Sequence, residues 1–350
     1  MDIDELRQSA EGGNGAAEGI LGAHYLFGIS GVEIDYAEAF KWLSKAAAKG
    51  AYRPIAQLGH MYHHGCGVEK NMAEAVRLYK DSSLRGNSVS ARELGRMYKN
   101  GNDVDIDPNE AIRWYIVAAD NEDFDTESEV VREAVEYLAG IPNIGELLVH
   151  FMETDPGNRV RCAAPTMIGM MDITATIPAL IQSAENGPAS VRSRAVEAFR
   201  LLTLCDEDGN WVPDIDRIEG LLLRSMDDPD PAIRASASYS IDQFSDNPEA
   251  TAKLWAALDD PDEQVRGHAA HSLALMGDPA LVPRLDQLLR STPVAEEYFD
   301  AALELGDPSL LPAVLIAAVE WRKLRFKHEL EYPGIQEAID KLSEAEATRS

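Results

Sequence analysis

Leu58-Gly59-His60-Met61-Tyr62-His63-His64-Gly65-Cys66-Gly67-Val68 decides the fold, because it returns. Leu21-Gly22-Ala23-His24-Tyr25-Leu26-Phe27-Gly28 precedes it, and Leu94-Gly95-Arg96-Met97-Tyr98-Lys99-Asn100-Gly101 follows it. The Leu-Gly pair, the tyrosine and the closing glycine hold their places in all three copies. The step is 37 from Tyr25 to Tyr62 and 36 from Tyr62 to Tyr98. Beyond the glycine a strict step of 36 governs Val32, Val68 and Val104, then Asp35, Asn71 and Asp107, then Ala39, Ala75 and Ala111. The first copy therefore carries one extra residue between Gly28 and Val32. A period of this length marks a stacked helical repeat.

Each copy reads as a helical hairpin. Alanine and leucine recur at three- and four-residue spacing on both sides of a glycine-rich turn. Gly28, Gly65 and Gly101 stand where a left-handed residue ends the first helix. Asp35, Asn71 and Asp107 stand where a side chain caps the second, and Pro108 fits its first position. Gly22, Gly59 and Gly95 fall inside the first helix, where glycine costs about 1 kcal/mol. Recurring in phase, they imply close approach of a neighbouring helix, as do the pairs Ala46-Ala47, Ser82-Ser83 and Ala118-Ala119.

These residues resemble the Sel-one-like repeat, a relative of the tetratricopeptide repeat, over residues 17 to 121. Trp42 with Ala46-Ala47, Gly65-Cys66-Gly67-Val68 and Trp114-Tyr115 carry the likeness. Leu43 and Leu78 at aromatic places, and Asn102-Asp103 in place of a glycine, depart from it. The resemblance implies protein–protein binding and scaffolding.

From about residue 155 a different repeat takes over. Val160-Arg161, Val191-Arg192, Ile233-Arg234 and Val265-Arg266 lie 31, 42 and 32 residues apart, each leading into an alanine-rich helix. The clearest unit runs from Asp259-Asp260-Pro261-Asp262 through Gly277-Asp278-Pro279. The long step carries an insertion, Cys205 to Asp216. The pattern looks like the short bacterial HEAT repeat, which also occurs in bilin lyases. Asp-Pro pairs suit it physically: aspartate caps a helix whose first turn tolerates proline. The arginines are expected to satisfy a capping aspartate and brace the next repeat.

The chain is thus expected to be all-α, an α-solenoid of helical hairpins in two tandem arrays. Its segments are residues 1–121, Sel-one-like repeats with an N-terminal cap helix; 122–154, a helical connector; 155–320, the HEAT array; and 321–350, a C-terminal cap and tail. Ser128 to Leu138 reads as one connector helix, Gly140-Ile141-Pro142 breaks it, and Ile144 to Met152 reads as another. Length agrees, since 350 residues exceed one compact core.

Charge narrows the function. The chain holds 60 Asp and Glu against 32 Lys and Arg, a net charge of −28. Such a chain is a poor direct partner for nucleic acid or an anionic membrane. A basic protein is its natural complement. Between Asp103 and Glu136 there are 12 acids and only Arg113 and Arg132. Turn acids in a stacked repeat line up in space. Glu122, Asp123, Asp125, Asp206, Asp208, Asp228, Asp230, Asp260 and Asp262 are therefore the candidate partner-binding residues, with Trp211 as an aromatic anchor. The bland reading of the Asp pairs is capping and solvation.

No chemistry is assigned. No Ser-His-Asp order, phosphate loop after a strand, or Cys-x-x-Cys appears. His60, His63, His64 and Cys66 offer zinc-type ligands within seven residues, but sit at positions that are ordinary turn residues in the other copies. No metal or cofactor is expected. Three separated cysteines, an acidic start and no apolar run of about 18 residues point to a cytoplasmic protein. The expected function is non-catalytic: an acidic protein-binding surface, in its sharpest form an immunity protein neutralising a basic toxin. A signalling or assembly scaffold is the alternative, and a bilin lyase-like enzyme the competitor from another class. Monomer and dimer are both left open.

Overall fold

The computed structural model describes residues 3–101, 104–120, 129–205, 212–291, 295–325 and 333–349, with the backbone alone at 322–325, 333 and 349. Regular structure among them is helical, with one isolated bridge residue at Cys205. The chain divides into two compact units, residues 1–167 and 168–350.

The first unit contains α1 (Ile3–Glu11), α2 (Gly15–Phe27), α3 (Tyr36–Ala48), α4 (Tyr52–His64), α5 (Met72–Leu84), α6 (Ser88–Asn100), α7 (Pro108–Ala119), α8 (Glu129–Ala139), α9 (Ile144–Thr154) and most of α10 (Asn158–Met170). The three hairpins of the sequence are α2–α3, α4–α5 and α6–α7, each packed on the next, with α1 against α2 and α8 against α7. The expected connector helices are α8 and α9.

The caps follow the sequence. Gly28, Gly65 and Gly101 end their helices at φ 68°, 72° and 71°, where a Cβ would be strained. Asp35, Asn71 and Asp107 each accept hydrogen bonds from the first turn of the following helix. Their own N–H groups donate 3.0 Å to the carbonyls of Tyr25, Tyr62 and Tyr98, closing the same turn three times. The extra residue of the first copy is absorbed by a short 3-10 turn, Ile29–Gly31, with Ser30 in the left-handed region.

The glycines inside the first helices do permit close approach. A Cβ on Gly22 would lie 2.7 Å from Leu43 Cγ, and on Gly59 or Gly95 it would lie 3.0 Å from the Tyr79 or Tyr115 ring. Ser82 takes the matching role in the second helix, its hydroxyl donating to Tyr52 O at 2.7 Å. Leu26, Ala39, Leu43, Ile55, Leu58, Met61 and Leu78 interlock as one buried cluster spanning two hairpins.

The second unit contains α11 (Ile177–Asn186), α12 (Ala189–Leu201), α13 (Ile215–Ser225), α14 (Pro231–Ser240), α15 (Pro248–Ala257), α16 (Glu263–Leu275), α17 (Leu281–Leu289), α18 (Glu297–Leu305), α19 (Leu311–Arg325) and α20 (Pro333–Arg349). Its even-numbered helices, α12 to α20, form a continuous row, each packed on the next. Alanines make this possible: Ala195, Ala198, Ala237, Ala269, Ala270 and Ala302 are fully buried. Helices packed in chain order, each burying its apolar face on its neighbour, are how a solenoid is built. No helix among the described residues is long and apolar enough to cross a membrane.

Candidate functional site

The expected interaction residues fall into two groups. Glu122, Asp123, Asp125, Asp206, Asp208 and Trp211 lie outside the described residues. Asp228, Asp230, Asp260 and Asp262 are placed, at the turns before α14 and α16, and all four are part-buried.

Their carboxylates are engaged within the chain. Asp230 accepts from Ala232 N at 3.0 Å, and Asp262 from Gln264 N at 3.0 Å, each capping its helix. Two residues earlier, Asp228 accepts from Asp230 N at 2.9 Å and Asp260 from Asp262 N at 2.8 Å. The outer faces of Asp228 and Asp260 meet arginines from the preceding repeat. Arg192 reaches Asp228 at 3.1 and 3.2 Å, and Arg234 forks onto Asp260 with two bonds of 2.9 Å. Burial works against the charge on Asp260. The Arg234 fork and the Asp262 N–H outweigh it and hold the carboxyl below its usual range.

The arginines also tie down their own turns. Arg234 donates to the Asp228 carbonyl at 2.8 Å and Arg266 to the Asp260 carbonyl at 2.7 Å. The expected brace between repeats is therefore present where the next turn offers an aspartate. Arg161 instead donates to Asn158 beside it at 3.4 Å, and the turn ahead of α12, Gly187-Pro188, offers no aspartate. The exposed Asp227 and Asp259 are paired too, with Lys253 and Arg284.

The histidine cluster packs as rings. His64 lies 4.3 Å from both His60 and His63, stacked on the latter, and Phe27 reaches His60 at 5.8 Å. Burial lowers the His60 pKa, and His64 and His63 lower it further. Among the described residues no group of three or more His, Cys, Asp or Glu has an arrangement that would hold a metal ion. Cys162 is part-buried in α10 and Cys205 is exposed.

Unclaimed acids lie elsewhere. Glu33, Glu69 and Asp105 follow the repeated valines at the same strict step of 36. All three are exposed, each at the same point of the same turn. None has an ion pair among the described residues. Beside them Ile34 and Ile106, at the place of Lys70 in the middle copy, are 56% and 65% exposed. Phe27 and Ile29 add further exposed apolar surface at 49% and 43%. Tyr36, at the start of α3, lies against Gly67 of the next turn, so successive turns stack. Sequence reasoning missed this row, although the step that found the valines also finds the acids behind them.

Known proteins agree with the two repeat types. Residues 16–50, 55–87 and 88–123 match the Sel1 repeat, and residues 218–306 match HEAT repeats, inside the wider span expected from sequence. A Sel1 repeat protein from Oxalobacter formigenes is 31% identical, covering 34% of this chain and 90% of its own, with a TM-score of 0.32. A protective antigen of uropathogenic Escherichia coli, c5321, is 18% identical over 98% of this chain and 94% of its own, TM-score 0.33. Human deoxyhypusine hydroxylase is 16% identical over 85% of this chain and 99% of its own, TM-score 0.33. Among curated proteins none matches. The family matches, rather than these distant likenesses in shape, assign the repeats. Sel1 and HEAT repeats generally serve as protein–protein interaction scaffolds and are usually non-catalytic. Through residues 16–123 the chain belongs to the Sel1 repeat proteins, and through residues 218–306 it carries HEAT repeats.

Proposed function

We propose that the chain is a non-catalytic binding protein that receives a basic protein partner along the turn edge of its Sel1 array. The carrying observation is the row Glu33, Glu69 and Asp105, exposed and without cation partners among the described residues, beside exposed Ile34 and Ile106. Asp228, Asp230, Asp260 and Asp262 of the HEAT turns already serve caps and arginines, whereas the three acids of this edge recur at one point of successive turns and keep their charge available to a partner. Uncompensated carboxylates steer an opposite partner and set its orientation. The isoleucines supply the apolar contact that such steering lacks.

An immunity protein that neutralises a basic toxin is the sharpest form of this reading, with a cytoplasmic site of action. An assembly scaffold with the same edge is the broader form. The segments 1–121, 122–154, 155–320 and 321–350 belong to the same proposal, the first being the binding array.

The test compares the tagged chain with a triple variant, Glu33→Gln, Glu69→Gln and Asp105→Asn. Each is used to capture proteins from native lysate at low and at moderate salt. The reading expects a basic protein held by the parent chain, released as salt rises, and not held by the variant. A partner held equally by both chains, or one that is neutral and indifferent to salt, refutes it.

A further inference from the structure

Four helices of the second unit build one polar stack. Arg200 of α12 lies over the Tyr239 ring of α14, its Cζ 4.0 Å from the centroid, and donates to Asp242 Oδ2 at 2.7 Å. Tyr239 stacks with His268 of α16 at 4.7 Å and with His271 at 5.8 Å. His268 Nδ1 stands 2.9 Å from the Ala235 carbonyl. A carbonyl only accepts, so Nδ1 carries a hydrogen in every charge state.

The neutral ring therefore leaves Nε2 bare, and Nε2 faces Glu297 Oε1 of α18 at 3.5 Å. A bare nitrogen and a carboxylate are both acceptors. Their contact is favourable only with a proton between them. Gly267 makes the room: a Cβ there would lie 2.6 Å from Glu297 Oε2 and 3.2 Å from Ala295 Cβ.

We propose that His268 and Glu297 share a single proton that fastens α16 to α18, and that the seam between these helices loosens when the proton leaves.

The surrounding charges place that proton on the carboxyl. Burial lowers His268, and His271 and Arg200 push the same way against the Ala235 carbonyl and Asp262. Burial raises Glu297 to about 7, helped by Glu296, Asp300 and Glu263 and opposed by its own backbone N–H. His271 is itself lowered by burial and Arg200, against Glu304 and Asp242. Arg266 is engaged with Tyr298 at the same seam.

The sign follows. A carboxyl raised from 4.5 to about 7 on folding contributes stability below 4.5 and loses it as pH rises through about 7. That shift is worth a factor of roughly 300 in the folding equilibrium. The lowered His268 acts in the opposite sense below its ordinary pKa, so the parent curve is composite. A variant at position 297 isolates the carboxyl.

Glu297→Gln keeps the shape and offers Nε2 a permanent N–H. Equilibrium denaturant unfolding of the second unit, in the full chain, is compared for parent and variant at about pH 5 and about pH 8.5. The variant is expected to gain on the parent by roughly 70-fold in unfolding constant across that range. A difference that stays constant with pH, or that favours the parent more at high pH, overturns the proposal. Nitrogen-15 NMR of the parent protein gives an answer even if the variant does not fold. It is expected to show a neutral His268 ring at about pH 6 with its hydrogen on Nδ1. A doubly protonated ring at that pH overturns the proposal as well.

Discussion

Replacing Gly22 by alanine tests whether the recurring glycines are there for closeness. The new Cβ would stand 2.7 Å from Leu43 Cγ, 2.8 Å from Cδ2 and 3.1 Å from the Leu43 backbone N. Leu43 is fully buried, and its Cγ is a branch point rather than a free end. Relief requires α2 and α3 to move apart, which overpacking data put at about 1–3 kcal/mol. Alanine regains about 1 kcal/mol of helix propensity, leaving a net loss of up to about 2 kcal/mol. Gly220, inside α13, is the control. The nearest atom to its added Cβ is the free end of Arg224, 3.3 Å away. Gly220→Ala should therefore stabilise, by up to about 1 kcal/mol. Thermal unfolding by circular dichroism reads both, since 1 kcal/mol moves the Tm of a unit this size by about 2–4 °C. A Gly22→Ala protein that gains stability as Gly220→Ala does, by the roughly 1 kcal/mol of helix propensity alone, would refute the argument from close approach.

Three further outcomes are expected. Asp260→Asn should destabilise the second unit by about 1–3 kcal/mol, because it weakens a charge-assisted fork and leaves Arg234 without its carboxylate. Since Asp260 is held below its usual range, its stabilisation is present above the unfolded value of 3.8 and is lost as pH falls through the folded one. Acid titration of stability should therefore be shallower in the variant. Ser30→Gly should raise the stability of the first unit by about 1 kcal/mol, because a left-handed serine costs about that much and glycine does not pay it. Lys49→Met should cost more than an ordinary surface change, because Lys49 bonds at 2.6 Å to Glu18, whose side chain is only 4% exposed. Urea unfolding of each variant measures the difference.

The first array was open to reading because its repeats keep a strict step. Turn, cap and close-approach positions each recur three times, so one copy checks the others, and even the extra residue could be placed between Gly28 and Val32. The unclaimed acids obeyed the same arithmetic. A net charge taken over a whole segment hides them, and only the position within each repeat reveals them. The second array was harder, with steps of 31, 42 and 32. Its Asp-Pro turns announced caps, yet whether a turn aspartate faces a partner or an arginine depends on what the previous repeat extends toward it. Asp228 and Asp260 look alike as exposed acids in the sequence and prove to be held by Arg192 and Arg234. His268 and Glu297 leave no mark at all: their meeting depends on a glycine one residue before the histidine and on the packing of two helices.

The arginine fork also says where the second array would part under load. A stacked repeat transmits tension through its neighbours alone, so its resistance is that of its weakest join. The joins bridged by Arg192 to Asp228 and by Arg234 to Asp260 are pinned by ionic bonds that must break together. The turn ahead of α12 has no aspartate to pin. A pulling experiment on the second unit should therefore show α11 peeling away at low force, while the stretch from α12 to α16 holds and yields as one block.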